Sequence, residues 1–350
     1  MTPIQKTHLY QEIHQQPEVI GQLVSHPQEA ILALADQIRT RGIKQVFIAA
    51  RGTSDNAGRY AQYLLGAHNR MVVTLATPSL FTIYRQPPDL SGTLVLGISQ
   101  SGKSPDIVSV LAEGKQQGAL TVAITNVTES DLAQVSDIVL DLTAGEEVSL
   151  AATKTYTSQL TSLAILSAEL DPSEQRCLDL AKLPQQVADT FKIEADVDSL
   201  AERYRYMTHC AVIGRGFNYA SAFEFSLKMK ELTYTIAEPY SSADFLHGPV
   251  ALVDRGFPVF VVAPSGMMIP EMHALVKKVQ DRFAEVIMLS DHPDLLNMAK
   301  HTMALPQGVP EWLSPITAII PAQLFAMYLA ETRGLDVDNP RGLNKVTETW

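Results

Sequence analysis

The feature that most constrains the fold is an internal repeat. Cys210-Ala211-Val212-Ile213-Gly214 runs into Arg215-Gly216 as the run ending Ala49-Ala50 runs into Arg51-Gly52, at an offset of 164 residues. The same shift carries Ser101-Gly102 onto Ser265-Gly266 and Asn126 onto Ser290. It carries the run 137–142 onto the neighbourhood of 301–306. One offset held across four apolar runs points to duplication of a whole domain, because the period is far too long for a solenoid. Within each copy, apolar runs alternate with helical patterns over short links, which is the pattern of a parallel doubly wound sheet. The expected fold is therefore α/β: two tandem three-layer αβα domains, with an N-terminal helical segment and a C-terminal tail. The expected bounds are 1–26 for the helical segment, 27–190 and 191–335 for the domains, and 336–350 for the tail.

In the first copy, strands are expected at 45–50, 71–76, 94–98, 120–126 and 137–142. Helices are expected over 8–24, broken or restarted at Pro17, and over 27–41, ended by Gly42. Others run from the Arg51-Gly52 turn to about Leu65, from Pro105 to about Gly118, and over 152–169. A length of 350 residues at 46% hydrophobic suits two cores of this kind. The net charge is −11 with no basic block, which argues against nucleic acid or an anionic membrane as partner. An anionic substrate then needs a local positive site. Two cysteines, Cys177 and Cys210, make neither a disulfide framework nor metal-ligand spacing, and the nine histidines include no HxxxH pair. No metal and no cofactor are expected. The N-terminus lacks a signal-peptide core and no apolar run is long enough to span a bilayer, so a reducing cytoplasm is the expected setting.

The stretch Leu94–Ile107 places chemistry on this scaffold. A buried-strand pattern, Leu94 to Ile98, runs straight into Ser99-Gln100-Ser101-Gly102-Lys103-Ser104 and then Pro105, which suits a first helical turn. Hydroxyls, a glycine and free backbone N–H groups at a helix N-terminus make an anion site. A serine-rich strand–helix turn is the plainer alternative. The second copy has Ala263 and Pro264 in place of Ser99 and Gln100, so the hydroxyl cluster belongs to the first copy alone.

The second copy offers something else. Glu224, Lys228 and Glu231 fall at i, i+4 and i+7 and share one helix face. A solvated charged stripe has the same spacing. The helix, however, follows the Arg215-Gly216 turn at the carboxyl end of a strand, where ligands bind in open α/β sheets. His247 lies in Asp244–Pro249, expected as a turn before a strand-like run, and a loop histidine near carboxylates is an acid/base candidate. The tail, Asn339–Thr347, carries Lys345 just before Val346, the form of a tail that docks.

Six ordered motifs then resemble one family: RGTS (51–54), ISQSGKSPD (98–106), AGEEVSLAATK (144–154), GRGFNYASAFEFSLKMKEL (214–232), AEPYSSADFLHGPVALV (237–253) and NPRGLNKVT (339–347). The chain resembles the double sugar-isomerase-domain (SIS) proteins over essentially its full length. Nearest in pattern are the isomerase half of glutamine–fructose-6-phosphate aminotransferase and the SIS-type glucosamine-6-phosphate deaminases. The resemblance implies that Ser99, Gln100, Ser101 and Ser104, with Thr53 nearby, cradle the phosphate of a hexose 6-phosphate. Gly52 and Ser54 of the first motif and Ala152 of the third match the same pocket. Glu231 matches the base that moves a proton between C1 and C2. His247 matches the ring-opening histidine, delivered from the neighbouring subunit of a homodimer. Lys345 matches the tail lysine that closes over the open-chain sugar, and Lys228, Glu224 and Glu147 match supporting pocket residues.

Nothing in the chain matches a glutaminase domain. Arg51 replaces a cysteine, Lys103 a glutamate and Ala152 a serine of the aminotransferase pattern, and these changes look more like the deaminase group. The implied activity is deamination of glucosamine 6-phosphate to fructose 6-phosphate and ammonia. A glutaminase-less synthase-like isomerase, a deglycase of phosphorylated fructosamines and a non-catalytic sugar-phosphate sensor are the alternatives.

Overall fold

The computed structural model describes residues 3–26 and 29–345. The chain forms two compact units, each holding one copy of the repeat. The first-repeat unit comprises Glu18–Glu147, Lys154–Ala181 and the tail from Asn344. The second-repeat unit takes the N-terminal segment up to Pro17, Val148–Thr153 and Lys182–Leu343.

The first unit is built on β1 (Gln45–Ala50), β2 (Val72–Leu75), β3 (Leu94–Ile98), β4 (Leu120–Thr125) and β5 (Ile138–Asp141). All pair in parallel, in the order β2-β1-β3-β4-β5. The central strands β3 and β4 are buried along their whole length, which is why they read as unbroken apolar runs. Edge strand β2 alternates between exposed and half-buried. The second unit is built on β6 (His209–Gly214), β7 (Ile236–Ser241), β8 (Pro258–Val262), β9 (Glu285–Ser290) and β10 (His301–Ala304). Its order is β10-β9-β8-β6-β7, the same topology. Strands β6, β7 and β8 begin 164 residues after β1, β2 and β3; β9 and β10 begin 165 and 163 after β4 and β5. The duplication is therefore real at the level of topology, and its offset drifts by one residue toward the far edge.

Nine helices matter to the site: α1 (His8–His14), α2 (Gln16–Ser25), α3 (Glu29–Thr40), α4 (Thr53–Asn69), α5 (Pro105–Gln116), α6 (Lys154–Leu170), α7 (Tyr219–Thr233), α8 (Ile269–Gln280) and α9 (Ser314–Thr332). In each sheet, the strand after the first helix lies on one side of the first strand and the third strand lies on the other. The gap between β1 and β3, and likewise between β6 and β8, is a topological switch point, where the carboxyl ends of strands leave a crevice.

The N-terminal helix breaks at Gln15 and restarts as α2, with Pro17 in the first turn, where its missing N–H costs nothing. Helix α3 is described from Glu29; Pro27 and Gln28 lie outside the described residues. One local reading needs adjustment. The strand in 236–253 comes before His247, not after it. β7 is an edge strand and so tolerates Pro239. Pro249 instead opens a short 3₁₀ turn, Pro249–Leu252. Among the described residues no helix is long and apolar enough to cross a membrane.

Candidate active site

In the first unit the register sets Ala50 opposite Ile98, so Arg51-Gly52 and Ser99-Gln100 leave adjacent strands side by side at the switch point. The loop is held by its own bonds. Ser99 Oγ accepts from Gly102 N at 3.1 Å, and the Gln100 carbonyl accepts from Asn126 N at 3.1 Å and Thr125 Oγ1 at 3.3 Å. Gly102 has φ +64°, and a Cβ there would fall 2.0 Å from Ser130 Oγ, so no other residue keeps this turn unchanged. Ser104 is the N-cap of α5, yet its hydroxyl does not cap the helix. The Lys103 N–H reaches only Ser101 Oγ, at 3.4 Å. The Ile107 N–H is taken by Asp106 Oδ1, so the donors this turn leaves to an anion are the weakly bonded Lys103 N–H and the loop hydroxyls. Gly52 (φ +54°) and Thr53 open the neighbouring helix α4, whereas Ser54 is buried and accepts from Gln159 Nε2 at 2.9 Å. A cleft of about 620 Å³ adjoins the loop, lined by Gln100, Ser101, Lys103, Asn126, Glu147 and Lys345 among others.

At the opposite, amino-terminal end of this sheet lies a smaller cleft of about 310 Å³, lined by Arg39, Lys44, His68 and Arg70 among others. Arg39, Lys44 and Arg70 stand near where α3 and α4 end; Arg39 Nη1 donates to the Glu169 carbonyl at 2.8 Å, in the last turn of α6. They complement helix C-termini rather than gather an anion.

The trio on α7 is not a solvated stripe. Glu224 and Lys228 are buried, at 0% and 1% side-chain exposure, while Glu231 keeps 19%. Lys228 Nζ lies 3.3 Å from Glu224 Oε1 and 2.5 Å from Glu231 Oε2. Burial by itself lowers the Lys228 pKa, but the Glu231 and Glu224 carboxylates outweigh it and hold the lysine above its ordinary range. The ammonium therefore stays charged and positions Glu231, the one member reaching solvent.

His247 follows the short helix Ser242–Leu246, whose N-cap Ser241 accepts from Asp244 N and donates to Asp244 Oδ2. The imidazole is exposed, and among the described residues it makes no hydrogen bond or ion pair with Glu231. Lys345 is brought to Glu147: Nζ lies 3.1 Å from Oε2 of a carboxylate with 0% exposure, which also accepts from Thr155 N and Oγ1 at the start of α6. Val346 and Thr347 lie outside the described residues. Ala152 is half-buried in the loop Val148–Thr153 of the second-repeat unit.

Three features escaped the sequence reading as site elements. Arg51 Nε donates to Oδ2 of the buried Asp106 at 2.8 Å, while half of the guanidinium side chain stays exposed beside the loop. Glu12 is buried and takes the backbone N–H groups of Val148 and Ser149, pinning that loop. Its signal is visible in retrospect: Glu12 lies three residues after Leu9, on the face buried with Leu9 and Ile13. The tail is anchored before it reaches Lys345. Asp338 accepts from His8 N and Leu9 N at the start of α1, and Arg341 lies 4.0 Å over the Tyr234 ring while its N–H bonds the Tyr234 hydroxyl at 2.8 Å.

Two doubly wound repeats, one with an open serine-rich loop and one with a buried carboxylate–lysine trio, define a duplicated α/β protein. The chain belongs to the SIS domain family, whose model matches residues 41–168 and 207–333. It is 35% identical over 345 residues to glutamine–fructose-6-phosphate aminotransferase (isomerizing) of Aquifex aeolicus, covering 97% of this chain and 57% of that protein. The corresponding protein of Thermococcus kodakarensis is 34% identical, with 96% and 57% covered. The chain thus spans little more than half the length of these relatives. Among solved structures, the C-terminal domain of glucosamine-fructose-6-phosphate aminotransferase from Francisella tularensis superposes with a TM-score of 0.86 at 28% identity, covering 96% of this chain and 98% of that one. Glucosamine-6-phosphate deaminase from Thermotoga maritima shares the fold with a TM-score of 0.76 at 21% identity, covering 98% and 100%.

Proposed function

We propose that the chain is a phosphosugar-converting enzyme that deaminates glucosamine 6-phosphate to fructose 6-phosphate and ammonia. The observation that carries this reading is the α7 trio: a partly exposed carboxylate held by a buried, permanently charged lysine, on a helix that starts at a switch point. Such a carboxylate takes the proton from C2 of the open-chain aldose while the C1 oxygen gains one, giving an enolamine. It returns a proton to C1 as the nitrogen gives one up, leaving a ketimine at C2. Water adds to that carbon, ammonia departs, and the ketone remains. The phosphate is remote from C1 and C2; held by Ser99, Gln100, Ser101, Ser104 and Thr53, it fixes the position of the reacting carbons. Lys345, at the cleft beside that loop, closes over the open chain. His247 opens the ring of a sugar bound by a second copy in a homodimer, which its exposure supports.

The aminotransferase relatives favour one further reading, in which the same steps run toward glucosamine 6-phosphate with ammonia supplied from outside these 350 residues. Arg51, Lys103 and Ala152 speak for the deaminase. The test incubates the pure protein with glucosamine 6-phosphate and assays ammonia and fructose 6-phosphate together. Equimolar release of both supports the proposal. No turnover, with other phosphosugars isomerised, overturns it.

A further inference from the structure

The repeat offset pairs Glu147 of the first copy with Glu311 of the second, and the two carboxylates do different things. Glu147 is turned to Thr155 and Lys345. Glu311 reaches into the turn after β8. Its Oε2 accepts from Met267 N at 2.9 Å, and an ideal Cβ on Gly266 would fall 2.2 Å from its Cδ. Its Oε1 lies 4.0 Å from the Cβ position of Gly216. Gly216, Gly266 and Met267 are the counterparts, at 164 residues, of Gly52, Gly102 and Lys103. The Glu311 carboxylate therefore stands at the second switch point, between the two turns that in the first copy frame the open loop. It bonds the amide whose counterpart, Lys103 N–H, is left to a long contact with Ser101 Oγ. The adjoining arginine is duplicated too: Arg215 Nη1 lies 3.5 Å from Glu271 in the first turn of α8, as Arg51 holds Asp106 in the first turn of α5.

We infer that Glu311 is a built-in anion that occupies the phosphate position of the second repeat, and that it is what makes this two-repeat chain a one-site protein. Loss of the loop hydroxyls alone does not explain the asymmetry. The Met267 N–H and the duplicated Arg215 persist in the second copy; Glu311 takes the Met267 N–H, at an effective concentration no free metabolite reaches, while Arg215 turns to Ser242 and Glu271. Removing that carboxylate exposes a second site for a phosphate monoester. The inference concerns the second repeat and does not rest on the reaction proposed above.

The test is calorimetric titration of inorganic phosphate into the full chain, comparing the wild type with Glu311→Ala. The expected result is one additional equivalent bound per chain, and loss of that equivalent when Arg215→Ala is added. Because the readout is the increment, it holds whether or not the first loop binds phosphate. Glu311→Ser, smaller and still polar, replaces the alanine variant if that variant does not fold, with the same increment expected. An unchanged stoichiometry in a folded variant, shown by an intact circular dichroism spectrum and cooperative melting, overturns the inference.

Discussion

The loops after β3 and β8 occupy the same place in the same topology and have opposite fates. After β3, hydroxyls and a poorly bonded amide face a cleft. After β8, the Ser265 N–H is taken by Asp291 at 2.6 Å and the Met267 N–H by Glu311. A strand–helix turn at a switch point is thus an anion site by default, and a protein that does not use it must fill it. Duplication supplied two such turns; one opens on a cleft and the other is bonded from within. The second repeat, relieved of that task, carries the buried trio on α7 instead.

The comparison can be strained first at the trio. Lys228→Met leaves two carboxylates without their cation, and chemical denaturation should show a loss of about 3–5 kcal/mol. The pH dependence has a definite sign. Because the folded-state pKa of Lys228 lies above its ordinary 10.5, the stability from this pair is fully present below pH 10.5 and is lost only as pH rises further. A wild-type melting series that attributes to this pair a loss between pH 7 and 10, absent from Lys228→Met, would count against a charged lysine.

The two glycines sharpen the contrast. Gly102→Ala meets Ser130 and a positive φ, so a loss of about 1–3 kcal/mol is expected, together with weaker sugar-phosphate binding. Gly266→Ala has no positive φ and meets the Cγ, Cδ and Oε2 atoms of the flexible Glu311 side chain, which can swing aside, so less than about 1 kcal/mol should be lost. Equal melting shifts would show that the two turns are not differently filled. Smallest is the arginine pair. Arg51→Ala should weaken sugar-phosphate binding by about tenfold with kcat unchanged, the worth of one charge-assisted hydrogen bond. Arg215→Ala in the wild-type background should leave both untouched.

Much of this was legible in the sequence because parallel strands buried on both faces read as apolar runs, and because duplication lets one copy check the other. The strand after β6 was missed since an edge strand bearing Pro239 has neither an apolar run nor clean alternation. The loop residues and the α7 trio could be named because each lies within one short segment. Arg51–Asp106, Glu12–Ser149 and Glu311–Met267 could not, because each joins positions far apart in the chain, and pairing of that kind is set by topology alone. Burial was the other blind spot: i, i+4, i+7 spacing is the same for a solvated stripe and a buried trio, and only packing tells them apart.

The central claim is a division of labour: the first repeat holds the phosphate and the second moves the proton. Its most direct test follows solvent deuterium entering C1 and C2 of the sugar phosphate, at saturating substrate, with affinity measured in parallel. Glu231→Gln should keep its affinity and lose exchange by about 10²–10⁴-fold. The double variant Ser101→Ala, Ser104→Ala should lose affinity and keep its exchange rate once saturated. Exchange surviving in Glu231→Gln, or affinity surviving in the loop variant, would contradict the account.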